Sequence, residues 1–238
     1  MRRTKESTGI GLKEKPAAES SGLPRHLSDG RAPPPAAQGA REQLLWSLQQ
    51  ANERCIEMLV QAARSDRKDT FPLVNHLRDA FRSLTPEVRA RAARARFLLV
   101  DLELGNAEWW SLLQAHPGRA ASLPPGRGCF PRAGAIQLGR AALVLAWHTV
   151  RSEPAGSYLL GVSSEVSRIL TRFSLTELDR MVERRFRHLR PRWEDRPAVW
   201  RALLENAQTP DPRRTREANL WMLQLITADL LSSPLSFH

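Results

Sequence analysis

Arginines crowd the stretch of sequence that follows Ser174. Six of them are Arg180, Arg184, Arg185, Arg187, Arg190 and Arg192. At about 100° per residue, Arg180, Arg184 and Arg187 fall within about 60° of one another on a helix. Guanidinium groups bind phosphate oxygens, and such contacts position a protein on DNA without reading its bases. The pattern therefore predicts phosphate contacts by all six arginines. The alternative is a solvated helix face, on which Asp179 and Glu183 partly neutralise their neighbours.

The remaining reactive side chains form no recognisable catalytic or metal-binding motif. The sequence has no phosphate-binding glycine loop, no nucleophile elbow and no HExxH pair. Its six histidines are scattered, with no carboxylate or cysteine at metal-ligand spacing. Cys55 falls on an apolar helix face, and Cys129 lies in a glycine- and proline-rich stretch. We therefore predict no enzymatic activity, no metal site and no cofactor.

Composition points to a cytoplasmic protein with an anionic partner. The chain has 238 residues and a formal net charge of +11, which favours nucleic acid. Arginine supplies almost all of this charge, so a coding bias is the alternative explanation. The densest apolar run, Ala141 to Trp147, is too short to span a bilayer. Two cysteines fit a reducing compartment.

Changes in composition divide the sequence into four segments. Residues 1–40 are rich in glycine, proline, serine and charge, which predicts a disordered tail; a polyproline ligand is the alternative. Residues 41–115 form a predicted helical module, and residues 116–132 a linker rich in proline, glycine and arginine. Residues 133–238 form a second helical domain. No alternating strand pattern stands out, so the predicted fold class is all-α.

Helix-start signals set the predicted elements of the first module. An amphipathic helix begins near Arg41, and a second runs from Phe71 to Leu84. Thr85 and Pro86 open a third helix as N-cap and first residue. We expect that helix to continue through FLLVDLEL, although this apolar run also suits a strand. Asn106 caps a short fourth helix.

The second domain carries a pair of short helices with almost no connection between them. A serine at 163 or 164 caps the first, and Ser174 with Glu177 forms a capping box at the start of the second. A strongly apolar helix precedes this pair, from about Gly134 to Arg151. Asp195 and Asp211, each shortly before a proline, predict the starts of the last two helices.

From about Ile136 to Leu231 the sequence resembles the FlhD family of bacterial flagellar transcriptional regulators. The resemblance begins at IQLGRAALVLAWHTVRSE and continues through YLLGVSSEVSRIL and FSLTELDRMVE. It is carried by these residues: Leu160, Gly161, Val162, Glu165, Leu170, Ser174, Leu175, Glu177, Leu178, Arg180, Met181 and Glu183. It covers about two fifths of the chain, and the lengths and order of the later helices fit as well.

The resemblance implies an intertwined, all-α homodimer whose last part is helix-turn-helix-like. It also implies assembly with an FlhC-like partner subunit, which supplies much of the DNA contact and binds zinc, and activation of flagellar promoters. The dimer interface would include Ile136, Leu138, Leu143, Leu145 and Trp147. A protein-interaction adaptor without direct DNA binding is the alternative function.

Two departures from the family pattern stand out. The cysteine that links subunits in the family falls near Leu189 here, so we expect that disulfide to be absent. Roughly 130 residues precede the matched part, whereas family members begin almost at its first helix. The role of this added helical block is not predicted by the resemblance.

Overall fold

A computed structural model of the protein describes residues 35–65, 71–115, 128–209 and 211–232. Over these ranges the chain is mostly helical, with one short antiparallel strand pair, which confirms the predicted all-α class. The helices are α1 (Pro35–Arg64), α2 (Pro72–His76), α3 (Arg78–Arg82), α4 (Pro86–Ala93), α5 (Ala107–Ala115), α6 (Arg132–Ser152), α7 (Ser164–Leu170), α8 (Leu175–Arg185), α9 (Pro197–Gln208) and α10 (Pro212–Ser232). The strands are β1 (Val100–Asp101) and β2 (Arg190–Pro191), and 3₁₀ turns cover Pro154–Leu160 and Phe186–His188.

Helices α1 and α6 form the centre of the molecule. The apolar stripe of α1, including Leu48, Cys55 and Leu59, is buried, as are Leu138 and Leu143 of α6. The two helices pack against each other, and α7 and α8 cover another side of α6. Buried residues from both predicted modules belong to one hydrophobic core. The division into a 41–115 module and a 133–238 domain therefore separates segments of sequence that share a core.

The first predicted boundary, between residues 40 and 41, does not coincide with the start of a helix. Helix α1 begins at Pro35, inside the stretch that composition assigned to a disordered tail. The rest of that predicted tail, and most of the predicted 116–132 linker, lie outside the described residues. Residue Arg132, placed in the linker by sequence, starts α6.

Four of the predicted helix caps are confirmed by hydrogen bonds. The side chains of Thr85 and Asn106 each accept from the backbone N–H three residues on, at 3.4 and 3.0 Å. Ser163 does the same at the start of α7, at 3.2 Å. Ser174 and Glu177 form the reciprocal capping box that starts α8. These caps satisfy N–H groups that have no partner within the helix.

The prediction that FLLVDLEL continues a helix is wrong. Helix α4 ends at Ala93, and the apolar run leads into strand β1. The buried Asn52 of α1 explains this path, since its amide donates to the carbonyl oxygens of Ala93, Ala95 and Phe97. Its side-chain oxygen accepts from the N–H of Leu99 at 2.8 Å. Asn52 thus replaces the hydrogen bonds that a helix would have supplied.

Two further local predictions need correction. The helix expected from Phe71 to Leu84 is interrupted at Leu77, where φ is −121°, and forms α2 and α3. Helix α9 has Arg196 rather than Asp195 at its N-cap, and no side chain caps it. The chain turns just before that point, because Trp193 adopts φ +55°.

None of the described helices combines the length and apolar character needed to cross a membrane.

Candidate nucleic-acid interface

Helices α7 and α8 form the closely spaced pair that the sequence predicted. Four residues, 171–174, connect them. Helix α7 buries Val166, Ile169 and Leu170, and α8 buries an apolar side that packs against α6. Contact with α6 is close, because a Cβ built on Gly139 would lie 3.0 Å from a methyl group of Val182. The opposite side of α8 therefore faces outward.

Three of the six predicted arginines are exposed here: Arg180 and Arg184 of α8, and Arg187 of the 3₁₀ turn that follows it. We call these three the surface arginine face. The nearby carboxylates of Asp179 and Glu183 both pair with Arg140 of α6, the former at 3.2 Å. Within the described part of the chain, Arg180 and Arg187 have no carboxylate within 4.0 Å. Asp179 and Glu183 therefore pair with Arg140 of α6 rather than with Arg180 or Arg187.

A fourth arginine, Arg132, extends the basic surface toward the start of α6. The guanidinium carbons of Arg132 and Arg187 lie 5.6 and 5.9 Å from the ring centroid of Phe186. Cation–π attraction at this distance holds both groups beside the ring. Sequence reasoning missed Arg132 because it lies more than forty positions before α8, and no local pattern connects them.

Arg192 occupies the interior instead. It is only 7% exposed, and its guanidinium donates to the carbonyl oxygens of Leu98, at 2.9 Å, and Leu160, at 2.7 Å. Its charge faces Asp101 at 4.0 Å. Gly161 lies against it, since a Cβ there would be 2.0 Å from Nη1 of Arg192. These contacts leave Arg192 no access to a phosphate, which corrects its predicted role.

Arg190 and Arg185 also need correction. Arg190 binds Asp101 at 3.2 Å and Glu103 at 3.5 Å, next to the backbone pairing of β1 with β2. Although burial alone raises the pKa of Asp101, Arg192 and Arg190 hold it below its ordinary value. Arg185 is 7% exposed, and burial lowers its pKa. The interior network of Arg190, Arg192 and Asp101 is therefore structural, and Arg185 is too buried for a phosphate contact.

The residues predicted for a dimer interface lie mainly inside one chain. Leu138, Leu143 and Leu145 are buried by neighbouring elements of the same chain. Ile136 and Trp147 are half-buried, and the Trp147 indole donates to the Phe173 carbonyl at 2.8 Å. Much of their surface is covered within the single chain, because α1 packs against α6, although Leu138 and Leu145 also line a groove between these helices. An interface on α6 would have to use its other, outward side.

That outward side borders an apolar groove between α1 and α6, with a volume of about 840 Å³. Ala141, Val144 and His148 line it from α6, and Trp46 lines it from α1. The Trp46 side chain is 59% exposed at the groove. Large exposed apolar surface of this kind is typical of a protein contact.

The two cysteines lie in different surroundings. Cys55 is fully buried, as predicted, and burial raises the pKa of its thiol. Cys129 is half-buried, and its thiol donates to Glu194 at 3.1 Å. Among the described residues, no group of three or more histidine, cysteine or acidic side chains is arranged to hold a metal ion.

Comparisons with protein-family models, curated proteins and solved structures found no match to this chain.

Proposed function

We propose that this protein is a DNA-associated transcriptional regulator of the FlhD type. It acts in the cytoplasm as a homodimer and activates flagellar or motility genes together with an FlhC-like subunit. Helices α7 and α8 serve as the helix-turn-helix-like part. Arg180, Arg184 and Arg187 contact phosphates, with Arg132 beside them.

The observation that carries the proposal is the surface arginine face. Its three guanidinium groups are exposed on α8 and the 3₁₀ turn that follows it, while Asp179 and Glu183 of α8 pair with Arg140. Exposed arginines in such a row can neutralise successive phosphates and release their counterions. Phosphate contacts of this type position a protein on DNA, and they leave base recognition to other residues or to a partner.

The groove between α1 and α6 supports the dimer and partner parts of the proposal. It is apolar, open and bordered by the exposed Trp46. Small side chains such as Ala141 would allow another helix to approach α6 closely. Burying this surface against a second protein chain would be favourable, because apolar area removed from water contributes about 25 cal/mol per Å².

Fluorescence anisotropy with duplex DNA tests the proposal. The wild-type protein should bind at low salt, and its molar mass in solution should be that of a dimer. Arg184→Ala with Arg187→Ala should weaken binding by about tenfold or more, since two phosphate contacts are lost. The matched control is Arg94→Ala with Arg96→Ala, two exposed arginines that follow α4.

The control variant should bind nearly as well as wild type. Equal losses in both double variants would mean that net charge, rather than the surface arginine face, drives binding. Absence of DNA binding by the protein, both alone and with a captured partner, would contradict a DNA-associated regulator.

The exposed groove also favours a second candidate function, a protein-interaction adaptor. In that case the arginines serve solubility, and α1 with α6 holds the partner. Trp46→Ala would then abolish partner binding, while Arg184→Ala with Arg187→Ala would change nothing. Stable complex formation without any retention of DNA selects this alternative.

A further inference from the structure

One side of α10 is left exposed by the other elements in the described part of the chain. The inward side of this helix buries Met222 and Ile226 and packs against α9. The outward side carries Leu220, Trp221 and Leu231, whose side chains are 57%, 41% and 77% exposed. Three of the seven large apolar residues that are exposed in the described ranges therefore lie on this one helix.

The outward side of α10 has the spacing of a helix-pairing surface. Four exposed residues recur at separations of four, three and four positions: Leu220, Gln224, Thr227 and Leu231. At about 100° per residue they fall within about 60° of one another. Their spacing is that of the a and d positions along which two helices pair. We call these four residues, together with the exposed Trp221 and Ala228 that flank them, the α10 face.

The charges at the ends of α10 favour a neighbouring helix that runs in the opposite direction. The first turn contains Arg213 and Arg214 and no acidic residue, and the last turn contains no basic residue. Neither turn thus carries the charge that complements the helix macrodipole. Asp211 offsets part of this at the N-terminus, since it accepts from the N–H of Arg213 at 2.8 Å. Within the described residues, Arg213 and Arg216 have no carboxylate within 4.0 Å. A second, antiparallel α10 would bring its C-terminal carbonyl oxygens beside these arginines.

The α10 face is complementary to itself about Gln224. With a two-fold axis at Gln224, Leu220 lies opposite Ala228 of the second copy. In the same arrangement Trp221 lies opposite Thr227. A large side chain thus meets a smaller one at each position, which allows close packing. The two Gln224 amides meet at the axis, and each can both donate to and accept from the other. A single polar residue in such a face fixes the register of the pair.

The antiparallel direction also keeps the two basic ends of the helices apart. Arg213 lies eleven residues before Gln224, which is about 16.5 Å along a helix. The two copies of Arg213 would therefore be separated by about 33 Å, well beyond the screening length of about 10 Å at 0.1 M salt. A parallel pair would place both basic ends side by side, which is unfavourable in a chain with a net charge of +11.

We propose that a second copy of this chain binds the α10 face through its own α10, in an antiparallel pair with two-fold symmetry. Such a pair gives the proposed homodimer its interface, so it rests on that part of the proposed function. The groove between α1 and α6 is then left for the other subunit. A membrane surface fits the face less well, because it would place the Gln224 amide in lipid without a hydrogen-bond partner.

Sedimentation equilibrium of the full-length chain tests the α10 pair. The wild type should be a dimer, and Leu220→Glu should raise its dissociation constant by about a hundredfold or more, because charge enters an apolar contact twice. The variant should keep the circular dichroism spectrum of the wild type, since Leu220 is exposed in the single chain. The matched control is Leu112→Glu, at an exposed leucine of α5, which should remain dimeric.

Cross-linking tests the register of the pair. In a Cys129→Ser background, which removes the partly exposed thiol, Gln224→Cys should form an interchain disulfide when copper phenanthroline oxidises it. The two introduced thiols meet at the symmetry axis, as a disulfide requires. Gln50→Cys is the matched control, because Gln50 is exposed in the groove between α1 and α6. It should give no cross-linked dimer.

Three results would contradict the α10 pair. A dimer that Leu220→Glu leaves intact, or that cross-links through Gln50→Cys instead of Gln224→Cys, overturns the pair but leaves the homodimer in place. A monomeric wild type overturns both the pair and the homodimer, whereas anisotropy still measures DNA association separately. Binding of a wild-type monomer to phosphatidylserine vesicles, with loss of that binding in Leu220→Glu, would assign the α10 face to a membrane surface.

Discussion

The arginines between positions 180 and 192 form two regions with opposite properties. On α8 and the 3₁₀ turn after it, Arg180, Arg184 and Arg187 are exposed. A few residues later, Arg192 is buried against backbone carbonyl oxygens, and Arg190 is held by Asp101 and Glu103. Arginine thus forms an exposed basic surface in one region and holds buried backbone segments together in the other.

The difference lies in what surrounds each guanidinium group. A buried charge is tolerated only when it is paired and hydrogen-bonded, and Arg192 meets both conditions. Its partners come from the loop before β1 and from the turn before α7, so it connects the two halves of the sequence. An exposed arginine has no such constraint, because water solvates its charge.

A substitution in the interior network of Arg190, Arg192 and Asp101 should have the largest effect on stability. Arg192→Met removes the charge but keeps a side chain of similar length, leaving Asp101 and the Leu160 carbonyl with fewer partners. We expect the free energy of unfolding to fall by about 3–5 kcal/mol, as for other broken buried ion pairs. Urea denaturation followed by circular dichroism measures this change.

The surface region supplies the control for that measurement. Arg184→Ala should change the free energy of unfolding by less than about 0.5 kcal/mol, because its side chain is exposed. Similar destabilisation by the two substitutions would remove the distinction between the regions.

Gly161→Ala tests the packing around the buried Arg192 guanidinium with a second substitution. Gly161 adopts φ +68°, and an added Cβ would overlap the buried guanidinium of Arg192. We expect a loss of about 3 kcal/mol, which combines backbone strain with displacement of Arg192. Gly39→Ala is the control, since nothing lies within 4 Å of its added Cβ. Equal thermal stability of Gly161→Ala and wild type would contradict the packing described around Arg192.

His188 makes the interior region sensitive to acid. Burial, then Arg185 and Arg190, lower its pKa in the folded state. Between the lowered pKa of the folded state and the unfolded pKa of about 6.5, the unfolded chain binds more proton than the folded chain, so stability falls as pH decreases through this range. Thermal melts of wild type and His188→Asn across this range should show a smaller pH slope for the variant. Identical slopes would show that His188 titrates normally.

Arg140→Ala should have the smallest effect on stability, and it tests the surface arginine face specifically. It pairs with Asp179 and Glu183 beside the surface arginine face. Arg140→Ala should cost less than about 1 kcal/mol of stability, as is usual for exposed ion pairs. It should nevertheless weaken DNA binding, because two carboxylates beside the face lose their partner. Unchanged DNA affinity at low salt would mean that those carboxylates do not influence the interface.

Sequence reasoning captured local signals well. The caps at Thr85, Asn106 and Ser174 are confirmed, because each depends on residues within one helical turn. It could not anticipate Asn52, whose amide replaces helical hydrogen bonds more than forty residues away. The apolar run FLLVDLEL suits a helix or a strand equally, so a distant side chain decided its path.

The candidate interface shows the same limit. Helical periodicity grouped Arg180, Arg184 and Arg187, and all three are exposed. It could not separate them from Arg185, Arg190 and Arg192, since burial of these side chains depends on long-range packing. Arg132 escaped notice for the same reason.

The salt dependence of DNA binding tests the central claim most directly. Anisotropy titrations from about 50 to 200 mM salt give a slope of log affinity against log salt that falls by about 0.9 for each lost phosphate contact. Arg184→Ala with Arg187→Ala should therefore reduce the slope by about 1.8, whereas Arg94→Ala with Arg96→Ala should leave it unchanged. An unaltered slope in the first double variant would contradict the assignment of phosphate contacts to the surface arginine face.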